Sequence, residues 1–297
     1  MFENTFIVFA FVTMVSWAVG DFLLQRVSRT IGHIEALLWV DLIGSIVLFP
    51  FVFYNGYLSQ IWSNFPFLLV LGLLEFIFGL SVLNAYEKGK LTVVEVILTF
   101  ELPLTILLGV VVFGERINLF QSLLILTIFL GIVGLSRRSP TWKDKIKLIL
   151  HEKKGWLEKG ALVALFAALM SALYNFFVAF NVKNAAPLVV IWFPWTVSSI
   201  ILIFYIVYKK GLSDCFKKAN EHKKLILLGS LFDVVAWLSF ATALSQEDLS
   251  ITTAITEGYP ALAIFLALKY NGEKVTKHQL IIASIVILAT VAMALIN

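Results

Sequence analysis

The sequence predicts an all-α polytopic membrane protein, with ten transmembrane helices arranged as two inverted five-helix repeats. Three observations carry this reading. The 297-residue chain is 60% hydrophobic and 14% charged, with a mean hydropathy of +0.93. A water-soluble fold has no interior large enough to hide that much apolar surface, whereas lipid requires it. The apolar stretches each run to about 20 residues, the length that crosses the hydrocarbon core. Finally, the chain repeats itself at an offset of 158 residues, pairing Glu75 with Asp233, Leu91 with Leu249, Gly114-Glu115 with Gly272-Glu273, and Gln121 with Gln279. A repeat of this length in so apolar a chain marks a duplicated membrane unit.

The first repeat occupies 1–138 and holds spans at 5–24, 34–53, 66–86, 91–113 and 118–136. The N-terminus carries Glu3 and no basic run, so the first apolar stretch reads as a span rather than a cleavable signal. Polar or turn-forming residues separate the spans: Arg26 to Gly32, then Asn55-Gly56, Glu87-Lys88-Gly89-Lys90, and Gly114-Glu115-Arg116. A basic linker, 139–159, follows; its WKDKIKLILHEKK stretch is either a short amphipathic surface helix or unstructured. The second repeat, 160–297, holds spans at 160–181, 186–208, 223–244, 250–268 and 277–295, the last two separated by Asn271-Gly272-Glu273-Lys274.

Five spans per copy is an odd number, so the second copy enters the bilayer from the opposite side. Loop charge provides an independent check. Arg26 and Arg29 follow span 1, against Lys183 alone after span 6. No base follows span 2, whereas Lys209, Lys210, Lys217, Lys218, Lys223 and Lys224 follow span 7. Lys88 and Lys90 follow span 3, against none after span 8; Arg116 follows span 4, against Lys269, Lys274 and Lys277 after span 9. The bias flips in every comparison. In total, 21 of the 23 basic residues fall on one side, which the positive-inside rule makes cytoplasmic, with both termini outside the cell membrane.

Several residues give each half a resemblance to the repeat of the EamA family in the drug/metabolite transporter superfamily. They are Ser16-Trp17-Ala18-Val19-Gly20-Asp21-Phe22 late in the first span, echoed by Tyr174-Asn175-Phe176; Pro103 and Pro260 in the fourth span of each copy; and the Gly-Glu pairs Gly114-Glu115 and Gly272-Glu273 that close those spans. The resemblance covers nearly the whole chain outside the linker. It implies a small-molecule transporter whose spans 1–4 and 6–9 line the solute path, with spans 5 and 10 at the periphery. It also implies cytoplasmic termini, opposite to the loop charges.

Acids at membrane depth are the chemical signal. Asp41, Glu75, Glu95, Glu101, Asp233 and Glu257 fall inside spans, and Asp21 near the end of the first, with no Lys or Arg deep in any span. A carboxylate at the bilayer centre costs roughly 2.5–3.5 kcal/mol even on insertion scales, so these groups should face the interior. Glu75 and Asp233 lead, being repeat equivalents about ten residues into their spans. Gly72 and Gly79 share the helix face of Glu75, and Gly229, Ser230 and Trp237 that of Asp233. Glu101 and Glu257 lie just before Pro103 and Pro260, where proline frees a backbone carbonyl beside the acid. The bland alternative for Glu75 and Asp233 is a hydrogen bond that holds helices together, and for Glu101 and Glu257 a kink needed only for packing. Trp17, Trp39, Trp192 and Trp237 are candidate cavity walls for a cation, Asp41 lies one turn from Trp39, and Asn175 sits in the family-like patch. Glu115 and Glu273 read as solvated or salt-bridged span ends.

No phosphate loop, GxSxG or HExxH pattern occurs, and no His or Cys stands at metal-ligand spacing, so no enzyme, cofactor or metal is expected. The basic residues sit in short loops that orient the chain, so no nucleic-acid partner is expected. The expected function is secondary transport of a small cationic or zwitterionic solute, such as an amine or amino acid, by alternating access with proton coupling or exchange. The alternative is a non-transporting membrane scaffold that binds a partner.

Overall fold

The computed structural model describes residues 5–136, 160–209, 211–270 and 277–296; the linker, the Gly272-Glu273 pair and the residues at both ends of the chain lie outside them. All regular structure among the described residues is helical. In the first repeat these are α1 (Thr5–Ile31), α2 (His33–Tyr54), α3 (Ser59–Lys88), α4 (Leu91–Leu98), α5 (Glu101–Leu108), a π-helical turn (Gly109–Phe113) and α6 (Leu119–Ser136). The second repeat holds α7 (Ala161–Val182), α8 (Pro187–Tyr208), α9 (Leu212–Leu244), α10 (Leu249–Thr256), α11 (Tyr259–Tyr270) and α12 (Lys277–Ile296). Eight helical stretches are long and apolar enough to cross a membrane, and two shorter apolar ones, Leu119–Val133 and Ser284–Met293, lie in α6 and α12.

The surface is apolar and the interior polar, the reverse of a soluble protein. Trp62, Val111, Phe204 and Leu288 are among the many large apolar side chains left exposed, while Asp41, Glu75, Glu95, Glu101, Asp233 and Glu257 are all buried. Such an exposed apolar belt is stable only in lipid. The chain is an integral, multi-pass membrane protein.

Three ends differ from the sequence reading. The first span does not stop near residue 24; nothing before Gly32 breaks a helix, and Gly32 ends it at a φ of +95°. The stretch before span 8 is helical from Leu212, because Cys215 and Ala219 recur at i and i+4 and are buried against the bundle. That helix bends at His222, whose φ and ψ are −117° and 18°. The third span starts seven residues early, with exposed Pro66 accommodated inside α3.

Spans 4 and 9 are each broken into two helices. Proline has no N–H to give the carbonyl four residues back and its ring collides with that carbonyl. The position four before Pro103 is Thr99, where α4 has just ended; four before Pro260 is Thr256, the last residue of α10. Both interruptions therefore lie one turn before a proline, with Glu101 opening α5 and Glu257 closing α10.

Helices pack reciprocally between the repeats. α1 lies against α9 while α7 lies against α3; α3 also meets α8 while α9 meets α2; α1 meets α11 while α7 meets α4 and α5. α2 pairs with α8, and α6 with α12. Exchanging each span for its repeat equivalent maps each of these contacts onto another or onto itself, as in an isologous interface. Close approach is enforced at Gly44, where a Cβ would collide with the indole of Trp195.

Candidate functional site

Where the repeats meet, α1, α2, α3, α5 and α9 each bring one carboxylate to a single cavity of about 70 Å³, room for a few waters. These are Asp21, Asp41, Glu75, Glu101 and Asp233, and among the described residues no Lys, Arg or His lines the cavity. Trp17, Phe78, Tyr86, Trp237 and Tyr259 wall it, with Gly79 and Ser171.

The acids form a connected arc. Glu75 and Asp233 lie near enough for their charges to interact, and Asp41 neighbours Glu75 and the Ser198 hydroxyl. Asp21 lies near Asp233 and Tyr86, and Glu101 near Glu257, Ser171 and Asn175. Two hydrogen bonds hold the far end: Asn175 Nδ2 donates to Glu101 Oε1 at 2.9 Å, and Tyr86 Oη to Glu95 Oε1 at 3.0 Å. Asp41 Oδ2, Glu75 Oε2, Tyr174 Oη, Asn175 Oδ1 and both Glu257 oxygens are buried outside ideal hydrogen-bond geometry, although Tyr174 faces Glu75, Ser198 faces Asp41 and Glu101 faces Glu257. Buried polar atoms are almost always satisfied, so a cluster of such atoms marks a place that expects a water or a solute. Among the described residues, no three acids converge into a metal-ligand set; they are spread around the wall.

An aromatic cage closes over this arc. The Trp17 and Trp237 rings meet edge-on at 4.9 Å between centroids, and Tyr259 meets Trp17 at 5.5 Å. Tyr174 meets Trp237 at 5.0 Å and stacks on Phe78 at 5.1 Å. Aromatic faces carry negative quadrupoles, so cage and acids share a preference for a cation.

Of the residues singled out in the sequence, Glu75, Asp233, Asp21, Asp41, Glu101, Trp17 and Trp237 line the cavity, and Asn175 reaches it through Glu101. Glu257 is fully buried behind Glu101. Trp39 and Trp192 are elsewhere. Trp39 packs on Phe216 at 5.3 Å, at the edge of an apolar groove between α2 and α9. Trp192 donates from Nε1 to the Ser45 carbonyl at 3.1 Å and packs on Phe49. Gly72 and Gly79 admit Val197 and Leu37, so close helix packing accounts for both.

Sequence reasoning missed Tyr86, Tyr259 and Ser171. Two signals were available. Tyr86 is eleven residues after Glu75, three helical turns along the same face. Tyr259 stands at the repeat position of Glu101.

Glu115 is only partly exposed, and among the described residues it forms no salt bridge. Half-buried at the end of span 4, it accepts hydrogen bonds from the amides of Leu249 and Ser250 at 2.8 and 2.9 Å. Asp248 beside it, outside the spans, has its carboxyl pushed above the ordinary range, chiefly by partial burial and then by the Glu115 charge, with Lys183 opposing. Glu273 lies outside the described residues.

Comparison with known proteins accords with this geometry. A search of curated proteins finds no match. A solved crystal structure of a protein superposes with a TM-score of 0.73 at 13% identity, covering 99% of this chain and 98% of that one, which is a likeness of fold. The model of the EamA-like transporter family matches residues 4–137 and again 158–295. With both halves matched, nearly end to end, the chain belongs to the EamA-like transporter family.

Proposed function

We propose that this protein is a secondary transporter of a small cationic or zwitterionic solute, held at the acid-lined cavity between the repeats and exchanged or coupled with protons. The observation that carries the reading is the convergence of five carboxylates from five helices on one cavity without a basic residue among those described. Lipid-buried acids are costly, and structural glue needs them in bonded pairs rather than with oxygens outside good hydrogen-bond geometry. A protonated amine, or protons themselves, would satisfy those oxygens. Spans 4 and 9 are interrupted beside Glu101 and Glu257, and discontinuous helices at the midplane are a recurring feature of substrate and ion sites in transporters.

The division into repeats at 1–138 and 160–297 around a basic linker at 139–159, and their inversion, are part of the same reading. It is supported by the odd span count, the reciprocal packing and the flipped loop charge. Alternating access then follows from rocking one repeat against the other. Loop charge places both termini outside the plasma membrane.

The test is uptake into reconstituted vesicles of radiolabelled amines and amino acids, with and without a pH gradient. Gradient-sensitive flux lost in Glu75→Gln and Asp233→Asn is expected. A protein that moves none of a broad panel, yet aggregates when these acids are neutralised, would instead be a scaffold.

A further inference from the structure

Glu115 is held across the repeats by a built device. The π-helical turn Gly109–Phe113 ends at Gly114, whose φ of +71° is a left-handed conformation that glycine adopts without steric cost. The Glu115 amide folds back to the Gly109 carbonyl at 3.3 Å. Its side chain thereby reaches the second repeat, where Oε1 accepts from the Leu249 amide, and Oε2 from the Ser250 amide and hydroxyl. Gly109 leaves the room: a Cβ there would collide with the Glu115 carboxylate and with Ser250.

The helix so capped already has a cap of its own. Asp248 occupies the N-cap position of α10, where Asp is among the favoured residues, yet its side chain makes no capping bond. The first-turn amides are few, and the helix dipole attracts either carboxylate. A distant acid has taken the place of the adjacent one. A bond from span 4 to the start of span 9 also ties the two broken helices together at one end of the bundle. That end must part if the cavity is to open there.

We propose that the start of α10 has two alternative caps, Glu115 when this end of the bundle is closed and Asp248 when it is open, and that their exchange sets how readily spans 4 and 9 separate. This rests on the alternating-access reading. On opening, Asp248 as N-cap can accept from the Ser250 amide, while the Leu249 amide passes to the water that enters, so the two states differ by the modest difference between two caps. Lys183, with its ammonium 3.9 Å from the centroid of the Phe113 ring, carries a positive charge near enough for Asp248 to feel it in the closed arrangement.

The test is a pair of spin labels at exposed Leu119 and Ser245, in the full chain carrying Cys215→Ala, reconstituted in lipid nanodiscs without solute. Electron–electron distances report the closed and open populations. Glu115→Ala should raise the long-distance population about fivefold, the factor that corresponds to a cap of about 1 kcal/mol. Asp248→Ala should lower it by a similar factor, and Glu115→Gln, whose amide oxygen still accepts, should fall between Glu115→Ala and the parent. Opposite shifts from two acids on one helix end are not produced by general destabilisation. Shifts of the same sign, or none, overturn the proposal; should Glu115→Ala misfold, Glu115→Gln and Asp248→Ala decide it. Distances are read without transport, so absence of flux leaves this result standing, and unchanged distances leave the transport reading standing.

Discussion

Glu75→Gln separates a site acid from structural glue by the sign of its effect on stability. Glu75 is 4% exposed, and its Oε2 lies outside ideal hydrogen-bond geometry. Asp41 and Asp233 lie close by, and among the described residues no basic one lines the cavity. Replacing this acid by an amide of the same shape removes a buried carboxylate and its repulsion with Asp41 and Asp233, while the amide oxygen can still accept from the Tyr174 hydroxyl that faces it. The folded protein should therefore keep or gain thermal stability, as buried charges replaced by neutral groups often do. Binding should move the other way. A charge-assisted hydrogen bond to a cation contributes about 1.5–3 kcal/mol, so loss of this one weakens solute affinity roughly 10- to 150-fold.

The assay reads both quantities on one sample. Trp17 and Trp237 line the cavity, so intrinsic fluorescence titrated with a radiochemically identified substrate gives the affinity, and a melting curve in the same detergent gives the stability. An acid that serves assembly gives the reverse pattern, a melting temperature several degrees lower with affinity unchanged. That outcome would remove Glu75 from the site. A stability gain beside a binding loss is the usual signature of a functional residue held at a thermodynamic cost.

Two further outcomes follow from the same geometry. Asn175→Leu deletes the 2.9 Å bond to Glu101 that joins α7 to α5; it should cost about 0.6–1.7 kcal/mol, the range of interhelical hydrogen bonds in membranes. A double-mutant cycle with Glu101→Leu should recover that coupling, and additive effects would show that the bond contributes nothing. Trp39→Phe and Trp192→Phe should leave solute affinity within about twofold, whereas Trp17→Leu should weaken it at least tenfold. Equal losses at all three would mean that the cavity is wrongly placed.

The fold was legible because lipid imposes one rule on every span. Ten apolar stretches, an offset of 158 and flipped loop charge need no knowledge of packing. Glu75 and Asp233 were legible for a related reason, since an unpaired acid at depth is anomalous whatever surrounds it. The aromatic half of the site was not. Trp17 and Trp237 share their residue type with Trp39 and Trp192, and only the pairing of α1 with α9 separates the two sets. Glu115 was misread because a Gly-Glu-Arg turn looks solvated in sequence, while its bonds run to Leu249 and Ser250, over 130 residues away. Long-range capping leaves no local pattern to read. The broken helices were half visible: Pro103 and Pro260 announce an interruption, but not that Glu101 would line the cavity while Glu257 sits behind it.

The duplication is symmetrical in backbone and one-sided in chemistry, which narrows the solute. Asp21, Asp41, Glu75 and Glu101 come from the first repeat and only Asp233 from the second, where Tyr259 stands at the position of Glu101. An ammonium meets acids from both repeats, mostly the first, and aromatic rings from both. A carboxylate attached to the same solute meets the same acids, with no cation among the described lining residues to answer it. An unpaired group of that kind costs about 1–3 kcal/mol, and more when charged. A primary amine should therefore bind about tenfold or more tightly than the amino acid that differs from it only by the α-carboxylate. Fluorescence titration of such pairs checks this directly. Equal affinity, or preference for the amino acid, would mean that neutral donors of the wall, such as the Ser171, Tyr86 or Tyr259 hydroxyls, answer the solute carboxylate, and would overturn the preference argued from the five carboxylates.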